Sequence, residues 1–445
     1  MVSNELIVSL DIGTSKVRVM IGEINNGSIN IIGVGQSHSE GIKKGVIVDI
    51  DQTVHAIREA VDHAERMVGV SIEEVYVGIT GNHIDLHETQ GVVAVSSEDR
   101  EIREEDIQRV IQAAKVVAIP PDREIIEVVP KEYIVDGQGS IKDPRGMIGV
   151  RLEMEGTIVT GLKTVVHNIV RCAQRTNLRV AGIFLQPLAA STVALSKDDK
   201  NMGVVLVDIG AGSTTIGVFE QGKLAATTVI GIGGDHITSD ISLGLRTHTD
   251  VADRVKTKNG CALIDEASED VKFKVNRIGS EVEKQFTQVD LANIIEPRAA
   301  EIFQLVEDAV YKLGYRDEIA GGYVLTGGTV AMPGMLELAK EELDAPVRIA
   351  IPDYIGVRDP AYTTGVGLIQ YALQLMERRS IRVTPSFKGT QKQTVSSKPK
   401  EGGGLMEKVK TGLANLFNGV RFIELNYKDE DGYRFVPLCL VDRLL

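Results

Sequence analysis

One short pattern occurs twice in this chain and restricts its fold more than any other feature. An apolar strand ends in Asp-Ile-Gly, a turn of small residues follows, and then come a second strand, a second turn and a third strand. The first copy takes its strands from 5–11, 16–23 and, after Gly27, 29–37. The second takes them from 202–208, 214–220 and, after Gly222, 223–230. A repeat at this separation predicts two similar domains facing each other and argues against a solenoid. The first copy continues with Val54, Ile57, Val61 and Ala64 at helical spacing within 51–68, then a strand pattern over 74–80. Strands followed by a helix and a further strand read as a mixed α/β sheet. A length of 445 residues also exceeds one ordinary core.

The repeated turn has a chemical reading. In Asp11-Ile12-Gly13-Thr14-Ser15-Lys16 and Asp208-Ile209-Gly210-Ala211-Gly212-Ser213-Thr214, a strand delivers a carboxylate, and the next residues expose backbone N–H groups and hydroxyls. Glycine is needed where backbone approaches phosphate oxygens closely. A carboxylate there suits Mg²⁺, which keeps several waters and is held by one or two carboxylates plus substrate phosphates. One such turn alone reads as an ordinary hairpin with a capping Asp; two, each between apolar strands, predict a clamp on a polyphosphate. A third signal is the strand running through Tyr323-Val324-Leu325-Thr326 into Gly327-Gly328-Thr329, before a helix over 335–342. Glycines without side chains there would let an adenosine lie flat against backbone. A fourth is Gly231-Ile232-Gly233-Gly234-Asp235, which enters a helix over 237–243.

Composition narrows the partners. Lys+Arg 49 against Asp+Glu 62 leaves a net charge of −13, and aromatics are 4% with no Trp. A surface of that sign repels phosphate backbones, and stacking platforms are scarce, so no nucleic-acid partner is expected. Cys172, Cys261 and Cys439 lie far apart and make neither a disulfide framework nor a zinc spacing, which suits a reducing compartment. The start MVSNELIVSLDIG lacks the basic region and apolar stretch of a signal peptide, and no run approaches the roughly 18–20 apolar residues of a membrane span. Between the two copies, 83–161 reads as an inserted unit with strands over 91–96, 124–134 and 149–160 and a helix over 103–116 that starts on Glu104, Glu105 and Asp106.

Taken in order, these elements resemble the actin superfamily that includes heat-shock and sugar-kinase ATPases, and within it the FtsA family of bacterial cell-division proteins. Gly81-Asn82-His83-Ile84 followed by Gln90-Gly91-Val92-Val93-Ala94-Val95 resembles the opening of that family's inserted subdomain. Gln186-Pro187-Leu188-Ala189-Ala190-Ser191 and Tyr362-Thr363-Thr364-Gly365-Val366-Gly367 resemble its two connecting helices. The resemblance covers about 5–379 and implies an α/β, actin-like fold of two facing ribonuclease-H-like domains with an FtsA-type insert. By this reading 1–82 and 162–198 form the first domain and 83–161 the insert. Segments 199–230 and 300–379 form the second domain, with 231–299 its small subdomain.

The resemblance implies ATP and Mg²⁺ as cofactors. Asp11, Gly13, Thr14, Ser15 and Lys16 would form the first phosphate loop and Asp208, Gly210, Gly212, Ser213 and Thr214 the second, with Asp11 and Asp208 facing the metal through water. Gly233, Gly234, Gly327, Gly328 and Thr329 would surround the nucleoside. Asp253 and Lys256, three apart and on one helix face, match the acid and lysine that the superfamily presents to ribose and adenine; a solvated surface ion pair fits the same spacing. Gln186 is the candidate for orienting an attacking water beside Asp208, or else packs at a helix start. Hydrolysis, if any, is expected to be weak.

As partners the resemblance implies further copies of the chain in actin-like filaments, the C-terminal tail of the tubulin-like protein FtsZ, and the cytoplasmic face of the cell membrane at the division septum. Arg298 is the candidate contact for that tail, with an ordinary surface arginine as the other reading. Segment 380–404 reads as a flexible linker. After it Leu405, Val409, Leu413, Leu416 and Phe417 share one helical face over 405–417, which suits an anionic membrane surface or docking onto the protein's own body. The family usually stops soon after this helix. Here 418–445 continues, and a small hairpin, an added strand and a reading-frame artefact all stay open for it. An ATP-dependent small-molecule kinase and a pilus-assembly scaffold of the same superfamily are the rival functions.

Overall fold

The computed structural model describes residues 5–43, 45–279, 282–315 and 319–378. In the first half, β1 (Glu5–Ile12), β2 (Lys16–Asn25) and β3 (Ser28–His38) form an antiparallel meander. A short hairpin, β4 (Ile42–Lys43) and β5 (Val46–Ile47), leads to α1 (Ile50–Val68) and then β6 (Glu74–Ile79), parallel to β1. Helix α1 starts where the Asp49 side chain accepts from the Gln52 N–H at 3.0 Å and stops at Gly69, whose φ of 77° few other residues adopt. Val54, Ile57, Val61 and Ala64, the residues whose spacing predicted it, are buried.

The face of α1 lies unusually close to β3. A Cβ on Gly35 would sit 1.9 Å from the Ala60 carbonyl oxygen. Gly35→Ala should therefore destabilise the chain by about 3 kcal/mol, the upper end of overpacking costs, in a urea unfolding curve.

The insert leaves the first domain after β6. It consists of β7 (Asp85–Ala94), α2 (Glu104–Ala114), β8 (Arg123–Val135), β9 (Gln138–Ile141) and β10 (Arg151–Leu162), with sheet order β7-β10-β8-β9. The strand expected over 91–96 is longer and begins at Asp85, because exposed polar residues on both faces of its first half (Asp85 and His87 on one, Glu88 on the other) hide the alternation that sequence reading looks for. Leu152, Met154, Val110 and Ile107 give this sheet a small core of its own.

The chain returns through α3 (Lys163–Gln174) to β11 (Arg179–Leu185), parallel to β6, and then α4 (Gln186–Ala194) and α5 (Lys197–Met202). The second meander is β12 (Val204–Ile209), β13 (Thr214–Glu220) and β14 (Lys223–Ile230). Its first strand starts at Val204, two residues later than expected, since Met202 ends α5. Next come α6 (Gly234–Leu245), α7 (Thr249–Asn259), the hairpin β15 (Lys272–Asn276) and β16 (Glu283–Thr287), and α8 (Gln288–Lys312). The domain closes with β17 (Tyr323–Thr326), α9 (Met335–Glu342), β18 (Val347–Ile349) and α10 (Thr363–Arg378). Helix α8 runs unbroken through the boundary drawn at 299–300.

The two large sheets have one topology. Their orders are β11-β6-β1-β2-β3 and β14-β13-β12-β17-β18, each an antiparallel meander with two parallel strands beside its first strand. The repeat seen in the sequence is thus a repeat of a whole five-stranded unit, and the ends of β1 and β12, where Asp11 and Asp208 stand, are equivalent positions. No helix of the described residues is long and apolar enough to cross a membrane. Residues 380–445, with the linker, the Leu405, Val409, Leu413, Leu416 and Phe417 stripe and the last segment, lie outside the described residues.

Candidate functional site

The two hairpin turns face one cleft. Gly13 N–H donates to Lys16 O at 3.1 Å and Gly210 N–H to Ser213 O at 3.0 Å, so both turns close by the same four-residue bond. They touch across the cleft: a Cβ on Gly212 would meet the Thr14 side chain at 2.7 Å. The cavity between the halves is about 430 Å³, and its lining includes Asp11, Gly13, Thr14, Ser15, Lys16, Gln186, Asp208, Gly210, Gly212 and Ser213. Residues 197 positions apart in the chain (Asp11 and Asp208, Gly13 and Gly210) are brought together because each ends or follows the first strand of its own sheet.

The floor carries two carboxylates at the ends of their strands, Asp11 buried and Asp208 partly buried. Gln186, first residue of α4, donates its Nε2 to Asp11 Oδ1 at 3.1 Å. Thr364, in the first turn of α10, donates its Oγ1 to Asp208 Oδ2 at 2.9 Å. Burial raises the Asp11 carboxyl to about 6; Arg18, 3.9 Å away, works against that rise and Asp208 adds to it. Burial raises Asp208 too, opposed by the Thr364 hydrogen bond and Arg18. Two desolvated carboxylates whose charge is only partly met by the protein are a fitting donor set for a hard divalent cation such as Mg²⁺. Asp11 and Asp208 would hold such an ion, which would offset their charge.

The far wall comes from the second half. On α7, Lys256 Nζ lies 2.8 Å from Asp253 Oδ1 and donates to Thr238 Oγ1 at 2.6 Å and Gly234 O at 3.1 Å. Lys256 is 14% exposed and Asp253 55%, so the lysine is held within the wall while its acid stays open to solvent. Burial raises the Asp253 carboxyl, but the Lys256 hydrogen bond and charge outweigh it and hold the group low. Gly234, Asp253, Lys256, Gly327, Gly328 and Thr329 all line the cavity, and Met332 and Pro333 give the wall an apolar strip.

Two residues expected in the cleft, Thr214 and Gly233, do not line it, and Arg298, the candidate partner contact, lies apart from it. Thr214 is fully buried, its hydroxyl donating to Ile232 O at 2.8 Å; in an alternating strand its neighbour Thr215 faces the cleft instead. Gly233 sits behind the second turn, where a Cβ would come within 2.5 Å of Gly210 O, so it is needed for packing and does not line the cavity. Arg298 bridges α8 to α6 through Asp240 (2.6 Å from Nε) and also pairs with Glu301, which leaves it 28% exposed. Sequence reasoning missed Arg18, Thr364 and Asp235, all in the lining. Arg18 was legible: across a tight hairpin turn it pairs with Asp11 in register. Thr364 was within a quoted segment, in the same first-turn place as Gln186.

Comparison with known proteins agrees with this geometry. The family model "Cell division protein FtsA" matches residues 205–367, and "SHS2 domain inserted in FTSA" matches 81–160, the segment that forms the separate small sheet. A "Cell division protein FtsA" of Bacillus subtilis (strain 168) is 56% identical over 370 residues, 83% of this chain and 84% of that protein. Among solved structures, the "PilM-PilN type IV pilus biogenesis complex" overlays with a TM-score of 0.57 at 13% identity, covering 82% of this chain and 98% of that one. MreB5 of Spiroplasma citri bound to ADP gives 0.51 at 13% identity, covering 85% and 98%. Those two likenesses speak for the fold alone.

Proposed function

Because the chain belongs to the FtsA family of cell-division proteins, we propose that it is an ATP-binding, actin-like switch that polymerises and tethers the FtsZ ring to the cytoplasmic membrane at the septum. One observation carries the nucleotide part: two turns closed by the same hydrogen bond, each following its own desolvated carboxylate, face one cavity from opposite domains. Lys16 supplies a cation and Thr14, Ser15 and Ser213 hydroxyls for a polyphosphate, Asp11 and Asp208 would hold Mg²⁺, and Asp253 and Lys256 meet the nucleoside beside Gly234, Gly327, Gly328 and Thr329. Gln186 orients a water against the phosphate.

A ligand held from both sides favours the closed arrangement of the halves by its differential affinity for it. Copies in one closed form can join head to tail into open filaments. The filament then supplies the avidity that a short helix over 405–417 needs to hold a membrane. The small subdomain around α6 and α8 takes the FtsZ tail. Arg298 enters that contact by exchanging its bond to Asp240 for one on the tail.

Co-sedimentation with anionic liposomes tests the proposal. The full chain is expected to pellet with lipid, more so with ATP and Mg²⁺, while a chain ending at residue 379 stays in the supernatant yet still binds ATP. Equal pelleting of both chains, or none, would overturn the tether. Nucleotide turnover that rises many-fold with a small metabolite would favour the kinase reading instead.

A further inference from the structure

The inserted sheet does not hang freely from the first domain. At its root Ile126 and Val129 of β8 pack against the main core, and Arg123 ties three segments together. Its Nη2 donates to His83 O at 2.8 Å and lies 2.8 Å from Asp85 Oδ2, and its guanidinium also reaches the Thr160 hydroxyl. Two residues along from Ile125, Glu127 accepts a hydrogen bond from the Tyr371 hydroxyl of α10 at 2.7 Å. The Tyr371 ring is 9% exposed and sits edge-on to Phe184, which in turn stacks on Tyr76, so its position follows that of α10 and the first sheet.

The same helix reaches the cleft. Thr364, seven residues before Tyr371, donates to Asp208. Seven residues are just under two turns, so both side chains leave one face, roughly 10 Å apart along the axis. Between them Gly367 presses on α4, where a Cβ would come within 2.3 Å of Ala189 O. A helix gripped that tightly shifts as a unit; it has no room to bend locally.

We propose that α10 is a rod coupling the cleft to the inserted sheet, with Thr364 on Asp208 as its input and Tyr371 on Glu127 as its output. This rests on the nucleotide reading above. When a cation engages the Asp208 carboxylate, Thr364 changes partner and α10 shifts. A displacement of under an ångström is enough to make or break the bond from Tyr371, since a 2.7 Å contact ceases to be a hydrogen bond beyond about 3.5 Å. The bond therefore gives the rod two discrete states, which is what coupling between distant sites requires.

Hydrogen exchange of segment 123–135 in the full chain, with and without ATP and Mg²⁺, reads the output directly. In the wild type, nucleotide is expected to change the exchange rate there by roughly fivefold, the scale of one net hydrogen bond. Tyr371→Phe and Glu127→Met should each abolish that response and, since coupling is reciprocal, shift ATP affinity by no more than the same roughly fivefold factor, and combining them should add nothing. Glu127→Gln keeps an acceptor oxygen and should retain the response, which a general packing defect would not allow. A response that persists in Tyr371→Phe overturns the rod, as does a wild type that binds ATP with no change in 123–135. A wild type that binds no ATP removes the nucleotide reading, and the rod falls with it.

Discussion

Replacing Asp11 by Asn should make the nucleotide-free chain more stable at pH 7.5 and yet unable to gain stability from ATP and Mg²⁺. The Asp11 carboxyl stands at about 6 in the fold against 3.8 in the unfolded chain. A folded value raised above the unfolded one means the native state binds the proton more tightly. The cost of burying the ionised group is then absent below pH 4 and complete above pH 6. Two units correspond to roughly 3 kcal/mol. Wild type and Asp11→Asn should therefore differ by about that amount in urea unfolding at pH 7.5 and converge near pH 4. Gln186 can still donate to the Asn oxygen, so the floor keeps its geometry. With nucleotide the order reverses: ligand at about 1,000 times its dissociation constant adds about 4.1 kcal/mol to the wild type, more than the roughly 3 kcal/mol cost of the buried charge, and the variant lacks the charge that holds the cation. An Asp11→Asn chain less stable than wild type at pH 7.5 without nucleotide would sink this account. Asp208→Asn should move the same way, because burial acts on it in the same direction.

That exchange of stability for binding explains why the site was readable in the sequence. A carboxylate at the end of an apolar strand, followed by small residues, breaks the local preference for a buried hydrophobe, and it does so at Asp11 and again at Asp208. Such departures concentrate at functional positions. The meanders were equally legible, because alternation and turn glycines are local. What escaped were features fixed by tertiary position. Whether Thr214 or Thr215 faces the cleft depends on which face of β13 is covered. Gly233 and Gly234 carry the same residue, yet only the second lines the cavity; the first is hidden by the Gly210 carbonyl. Thr364 acts on Asp208 from a helix start, and no local pattern marks it as polar by need.

The pair Gly327-Gly328 shows the same limit in its sharpest form and gives the other large prediction. Gly327 adopts φ of 94°, and a Cβ there would lie 2.4 Å from Asp208 Oδ1 and 2.5 Å from Ile209 O. Gly328 has no left-handed backbone, and a Cβ on it would meet only the Ala361 methyl at 3.6 Å, an ordinary contact. Gly327→Ala therefore combines backbone strain with overpacking against the carboxylate that is to hold the cation. A stability loss of about 3 kcal/mol or more is expected. ATP affinity should fall by about 100-fold, since a displaced carboxylate no longer presents its oxygens to the cavity and every 1.4 kcal/mol is tenfold. Gly328→Ala should change stability by less than about 0.5 kcal/mol, as substitutions without a structural conflict do. Unfolding curves and nucleotide titrations of the two variants side by side decide it. Equal effects at the two positions would mean that the close approach of β17 to the Asp208 carboxylate does not constrain the site, whereas a large difference places the requirement on the single glycine that lets the two strands of the second sheet deliver their ends to one point.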